Sequence, residues 1–136
     1  MSKRPFVITA ILAVCLAVLI PLWAYLSDAD ESTGPRQVPA DLQAGKQLFD
    51  TNCGTCHALY AAGTDGNFGP DLDSLLAPTG PASDRSTVNA TKQRVLNAIE
   101  DGVDSSTPGR MPGGILAGEQ AQQVAEFVAR EAGKSG

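Results

Sequence analysis

The sequence predicts an all-α chain: one long apolar helix ahead of a small domain of amphipathic helices. Three observations lead there. Residues Phe6 to Leu26 read FVITAILAVCLAVLIPLWAYL without a single charge. Two later stretches, Thr91–Asp101 and Glu119–Ala132, each gather apolar residues on one side of a helix. No strand-like alternation surrounds the cysteine pair near the middle of the chain. With 136 residues there is room for one small domain plus an accessory segment, and not for two domains.

The apolar run comes first. As a helix it spans roughly 30 Å at ~1.5 Å per residue, about one hydrocarbon thickness. Lys3 and Arg4 precede it and Asp28, Asp30 and Glu31 follow it, a bias that puts the N-terminus in the cytoplasm. Trp23 and Tyr25 fall at the depth of an interfacial aromatic belt, and Pro21 sits late enough for a kink to be tolerated. The expectation is an uncleaved signal-anchor over residues 1–26, a single pass through the cell membrane, and everything beyond it on the extracytoplasmic side. A cleaved signal peptide, with Ser27 and Ala29 before the cut, is the alternative, although the run exceeds the ~7–15 residues of a signal core. Lipidation at Cys15 is disfavoured by the bulk of Val14 and by the apolar residues that continue after it. Residues 27–39 (SDADESTGPRQVP) then read as a flexible linker, with no apolar periodicity. Such a chain would span on the order of 20 Å relaxed and about 40 Å extended.

The domain, residues 40–136, is thin in core-forming residues. Much of the 43% apolar content lies in the first run, and only Phe49, Tyr60, Phe68 and Phe127 supply aromatic bulk beyond it. A domain of this kind needs a staple such as disulfides, a metal or a large cofactor. Charge narrows the partners. From Ala40 onward seven basic residues face twelve acidic ones, so the domain carries the whole net charge of −5. That balance argues against nucleic acid as a partner and would steer the domain toward basic surfaces.

The staple is visible at Cys53-Gly54-Thr55-Cys56-His57, the C-x-x-C-H pattern of c-type haem attachment. Two thiols three residues apart lie about one helical turn from each other and can reach two vinyl groups on one side of a porphyrin. His57 is then carried beneath the ring, where a neutral imidazole nitrogen can bind iron. Gly54 and Thr55 are small enough to keep the backbone close to the macrocycle. A thioredoxin-like redox pair would need a βαβ context. Structural zinc would need two more ligands, whereas His57 is the sole histidine and Cys15 lies in the apolar run. A simple disulfide between Cys53 and Cys56 is the remaining alternative. For the opposite face of the iron the methionines are Met1 and Met111, and only Met111 belongs to the domain. It stands in a turn-rich stretch, Gly109-Arg110-Met111-Pro112-Gly113-Gly114.

These residues resemble the class I, single-haem bacterial cytochromes c, here in a membrane-anchored form, over essentially Ala40 to Lys134. Asp41–Phe49 is similar to the family's opening helix, where Gly45 would admit the last helix closely and Phe49 would pack on it. Asn67-Phe68-Gly69-Pro70-Asp71-Leu72 resembles the G-P-x-L segment. By that resemblance the Pro70 carbonyl would accept the imidazole hydrogen bond of His57, and Leu72 would pack on the haem. Arg110-Met111-Pro112 resembles the distal loop that supplies the second iron ligand. Leu116–Val128 resembles the C-terminal helix with Phe127 at its aromatic position; Gly118 departs from the pattern where a capping residue is common. The fold implied is a small cytochrome c fold, with N-terminal, middle and C-terminal helices around one covalently attached haem c, preceded by a transmembrane helix. Gly102 and Gly133 read as helix stops, and Ala77–Ser86 as an ordinary surface connection.

The expected function is one-electron transfer rather than enzymatic turnover. Iron ligated by His57 and Met111 has no open position for a substrate, and thioether ligation raises the reduction potential. The resemblance implies a membrane-tethered carrier in a respiratory-type chain, drawing electrons from a quinol-oxidising complex and passing them to a terminal oxidase or reductase. Alternatives are a fixed haem subunit of a larger respiratory or dehydrogenase complex, and a gas- or peroxide-reactive haem protein.

Overall fold

A computed structural model of the chain describes residues 4–27, 37–104 and 110–134. The chain divides into two compact units, Met1–Ser32 and Thr33–Gly136. Most of the expected linker, and Gly109 ahead of Met111, lie outside the described residues.

In the first unit, α1 (Arg4–Ser27) is helical and contains Pro21. Its described run of exposed side chains extends from Leu12 to Trp23. Among the described residues no helix is long and apolar enough to cross a membrane. On that finding the expected transmembrane helix over residues 1–26 is corrected: the chain is helical over Arg4–Ser27, and a membrane-crossing helix is not supported.

The second unit is a helical domain. A 3-10 turn at Ala40–Leu42 leads into α2 (Gln43–Asn52), followed by a two-stranded hairpin, β1 (Ala58–Leu59) and β2 (Thr64–Asp65). The strands are antiparallel, with Ala58 opposite Asp65 and Leu59 opposite Thr64. Next come α3 (Leu72–Leu76), α4 (Arg85–Asp101) and α5 (Gly118–Glu131). Helix α5 packs on both α2 and α4. Leu42, Phe49, Leu96, Ile99, Val124, Phe127 and Val128 are buried together in this core.

The crossing of α2 and α5 depends on Gly45. A β-carbon there would run into the backbone oxygen of Gln123 and lie 2.8 Å from Phe127 Cβ. With only hydrogen at that position the helices approach closely, and Phe49 and Phe127 meet edge to face with ring centroids 5.9 Å apart. Polar links reinforce the packing at its edges. Lys92 reaches Glu126 at 2.9 Å between α4 and α5, and Arg130 on α5 bonds Asp41 beside α2.

Two helices begin or end differently from the periodicity-based expectation. Helix α4 starts at Arg85, six residues before Thr91, because Asp84 caps it by accepting from the Thr87 amide at 2.9 Å. The surface connection from residue 77 is shortened accordingly. It stops at Gly102, whose φ of +78° favours glycine. Helix α5 begins at Gly118 behind Ala117, which offers no side-chain cap, in keeping with the departure from the family pattern at Gly118. Glu119 in its first turn places a carboxylate at the positive end of the helix dipole.

Candidate functional site

Helix α2 delivers the cysteine motif. The amides of Cys53 and Gly54 both donate to Phe49 O, at 2.8 and 2.9 Å, and those of Cys56 and His57 both donate to Cys53 O, at 3.0 and 2.9 Å. Cys53 and Cys56 thus lie on consecutive turns continuing from the helix, and the core contact of Phe49 fixes where those turns begin. Cys53 is buried, whereas Cys56 is exposed. Burial, with a smaller contribution from Cys56, pushes the Cys53 thiol up to about 11, so it is neutral at pH 7. A thioether sulfur, uncharged at any pH, suits that position.

The backbone around the motif is packed too tightly for side chains. A β-carbon on Gly66 would lie 2.6 Å from the Cys56 carbonyl carbon and 2.7 Å from the His57 amide nitrogen. One on Gly54 would lie 2.6 Å from Thr64 Cγ2. The small residue expected to lie against a macrocycle therefore also makes room for Thr64. The Thr64 hydroxyl donates to His57 O at 3.0 Å and accepts from the Leu59 amide at 3.2 Å, so the hairpin returns to grip the residue that follows the cysteines.

His57 is oriented from the segment before α3. Its Nδ1 lies 2.9 Å from Pro70 O. A carbonyl oxygen can only accept, so Nδ1 is the donor, which in the imidazole form places the lone pair at Nε2, the atom required for metal binding. Gly69 lies flat against the same ring: a β-carbon there would be 2.7 Å from Nδ1 and 3.0 Å from Nε2, and in contact with Cε1. Leu72, half-buried at the start of α3, packs against the core.

Met111 is held by a different device. Its amide donates to Val103 O at 3.0 Å and its carbonyl accepts from the Val103 amide at 2.9 Å, an antiparallel bridge just beyond the end of α4. Gly114 N donates to Ile99 O at 2.8 Å. Gly113 packs so closely that a β-carbon would lie 2.7 Å from Glu100 O. The methionine is half-buried and touches the core. The described part of its loop is therefore fastened to α4.

A c-type haem needs two thiols, an imidazole with a free Nε2, a soft ligand for the other face and apolar surface for the porphyrin. The first three are the residues just described. For the fourth, the exposed large apolar side chains among residues 37–134 fall in two groups: Tyr60, Phe68 and Leu75 after His57, and Val103 and Ile115 on either side of Met111. Phe68, beside Gly69, is 75% exposed, the highest value in either group. The residues present fit the group.

Residues 42–130 match the cytochrome c family. The chain belongs to that family. As a cytochrome c it carries one covalently attached haem c, for which Cys53 and Cys56 are the candidate attachment sites, and it exchanges electrons with redox partners. Among curated relatives, photosystem II extrinsic protein V of Guillardia theta is 32% identical over 117 residues, covering 76% of this chain and 68% of that protein. The proteins of the same name from Cyanidium caldarium and from Cyanidioschyzon merolae are each 37% identical, over 60 and 75 residues. They cover 43% and 53% of this chain and 39% and 50% of their own lengths. Among solved structures, the c-type cytochrome SorU from Sinorhizobium meliloti is 29% identical with a TM-score of 0.49, over 69% of this chain and 93% of that one.

The relatives are named as extrinsic proteins, and no described helix is long and apolar enough to cross a membrane. The expectation of a single-pass cell-membrane protein, with its haem domain held on the extracytoplasmic side, is corrected on both grounds. The N-terminal helix is withdrawn with it as the route to a membrane partner.

Proposed function

We propose that residues 40–136 form a one-electron carrier in which Cys53 and Cys56 hold the haem, His57 and Met111 ligate its iron, Pro70 orients His57 and Leu72 packs beside the porphyrin. The observation that carries this reading is the bond between His57 Nδ1 and Pro70 O, which leaves Nε2 free to bind metal and makes the imidazole a stronger donor. When bound, the haem supplies a reversible one-electron couple. The chain's own residues orient one ligand through a carbonyl and fasten the other to α4, and exposed apolar side chains lie close in sequence to both. Ligation by both His57 and Met111 would leave no position for a substrate, and the methionine sulfur would favour the ferrous state.

The circuit proposed is a respiratory-type chain, from a quinol-oxidising donor to a terminal oxidase or reductase. The net charge of −5 favours partners that present a basic docking surface. A second reading, favoured by the relatives named as photosystem II extrinsic proteins, is a fixed haem subunit seated on a larger redox complex. Co-purification with such a complex at stoichiometric ratio would favour the subunit; a freely exchanging protein favours the carrier.

A spectroscopic redox titration of the haem-loaded protein beside Met111→Ala tests the ligand set. The expected result is a low-spin spectrum with a methionine–iron charge-transfer band in the native protein, and loss of that band with a fall in potential in the variant. A native protein that is high-spin or binds carbon monoxide, and is indifferent to Met111→Ala, would overturn the reading.

A further inference from the structure

Three contacts join the stretch 56–60 to the stretch 69–73, each between residues thirteen positions apart. The Gly69 amide donates to Cys56 O at 2.7 Å. His57 Nδ1 meets Pro70 O at 2.9 Å. The Tyr60 amide donates to Asp73 Oδ2 at 2.7 Å. The first lies at Cys56 and the second at His57, while the third closes the ladder three residues further along both stretches. The other oxygen of Asp73 accepts from the Gly133 amide at 2.7 Å, sixty residues away, just past the end of α5. Gly133 has a φ of +79° and no room for a β-carbon, which would lie 2.6 Å from Ala77 Cβ.

We propose that Asp73 is a positioning residue for His57: its carboxylate closes the 56–60/69–73 ladder and fastens it to the end of α5, so that the Nδ1-to-Pro70 geometry is set from the core. The inference rests on His57 being an iron ligand. Its physical basis is the acceptor count. A carboxylate can only accept, and here each oxygen receives one backbone N–H in a charge-assisted bond. Without it the Tyr60 and Gly133 amides lose their partner, and the Pro70 carbonyl is held only by Gly69 on one side and by the short helix α3 on the other. Asp71 caps α3 by accepting from the Asp73 and Ser74 amides at 2.9 and 3.3 Å. That cap shapes the helix but does not reach the His57 stretch.

The test is proton exchange by NMR on the ferrous, haem-loaded full chain, with the midpoint potential measured on the same samples. Asp73→Asn turns one acceptor oxygen into an N–H donor facing an amide. Exchange of the His57 Nδ1 proton and of the Tyr60 and Gly133 amides is expected to accelerate tenfold or more, and the potential to rise as His57 becomes a weaker donor. Asp73→Glu keeps both acceptors on a longer arm and is expected to exchange faster than the native protein and slower than Asp73→Asn. It also serves if Asp73→Asn fails to load haem. Asp84→Ala, which removes the cap of α4, is the control and should lower the Tm without moving the His57 proton or the potential. Unchanged His57 exchange and potential in both Asp73 variants would overturn the proposal, as would an equal response to Asp84→Ala. A native protein whose His57 ring protons lack the ring-current shift of an axial ligand would instead sink the ligation reading, a distinguishable outcome.

Discussion

Replacing Gly45 with Ala sets two effects of opposite sign against each other at the contact that carries the site. In an isolated helix the change stabilises by roughly 0.5–1 kcal/mol, because Ala loses less backbone entropy on folding. In this fold the added methyl would lie 2.8 Å from Phe127 Cβ and collide with the backbone oxygen of Gln123. Ordinary carbon contacts sit at ~3.5–4.0 Å, so the two helices would have to part by something near 1 Å. No rotamer change relieves a clash with a main-chain oxygen, and the separation would also loosen the Phe49–Phe127 edge contact. Overpacking of this kind costs ~1–3 kcal/mol. The balance is a net loss of about 1–2 kcal/mol, or a Tm lower by roughly 5–15 °C for a domain of this size. Thermal and urea unfolding of the haem-loaded protein would measure it. Because α2 runs directly into Cys53, the haem absorption spectrum should broaden in the same variant. An unchanged or raised Tm would mean that the helices can part freely, and would refute the view that Gly45 sets their distance.

Two further outcomes are expected. Gly69→Ala puts a methyl against the imidazole of His57 and should lower haem loading or shift the midpoint potential, read by pyridine haemochrome assay and redox titration; native values in both would show that the ring can move aside. Acid should destabilise the fold partly through Asp41 and Asp84. Hydrogen bonding from Arg130 holds the Asp41 carboxyl below its ordinary value, and the Ser86 and Thr87 hydroxyls do the same for Asp84. Both values are depressed, so the stabilisation is complete above the unfolded carboxylate pKa of ~3.9 and is lost as pH falls through the lower folded values. The Tm of Asp41→Asn/Asp84→Asn should therefore depend less on pH below ~4 than that of the native protein, and an identical acid profile would refute the assignment.

The sequence alone singled out the candidate haem residues. Cys53, Cys56 and His57 are contiguous, so helical spacing suffices to group them, and Met111 was the single domain methionine available for the opposite face. It also determined the core-facing helices, because α5 and the second half of α4 carry a clean apolar stripe. The first half of α4 is polar, and there the start is decided by the Asp84 cap rather than by periodicity. The strands of the hairpin have two residues each, too few for a period of two to register. The apolar run at the N-terminus is a helix as expected, but among the described residues no helix is long and apolar enough to cross a membrane. Beyond Pro70, which the family resemblance already implied, only the tertiary structure decided which groups hold the His57 stretch. Thr64, Gly66 and Asp73 carry no motif of their own. Their roles come from chain segments up to sixty residues apart in sequence meeting at one place, driven there by burial of Phe49 and Phe127, and local pattern has no access to a contact made at that range.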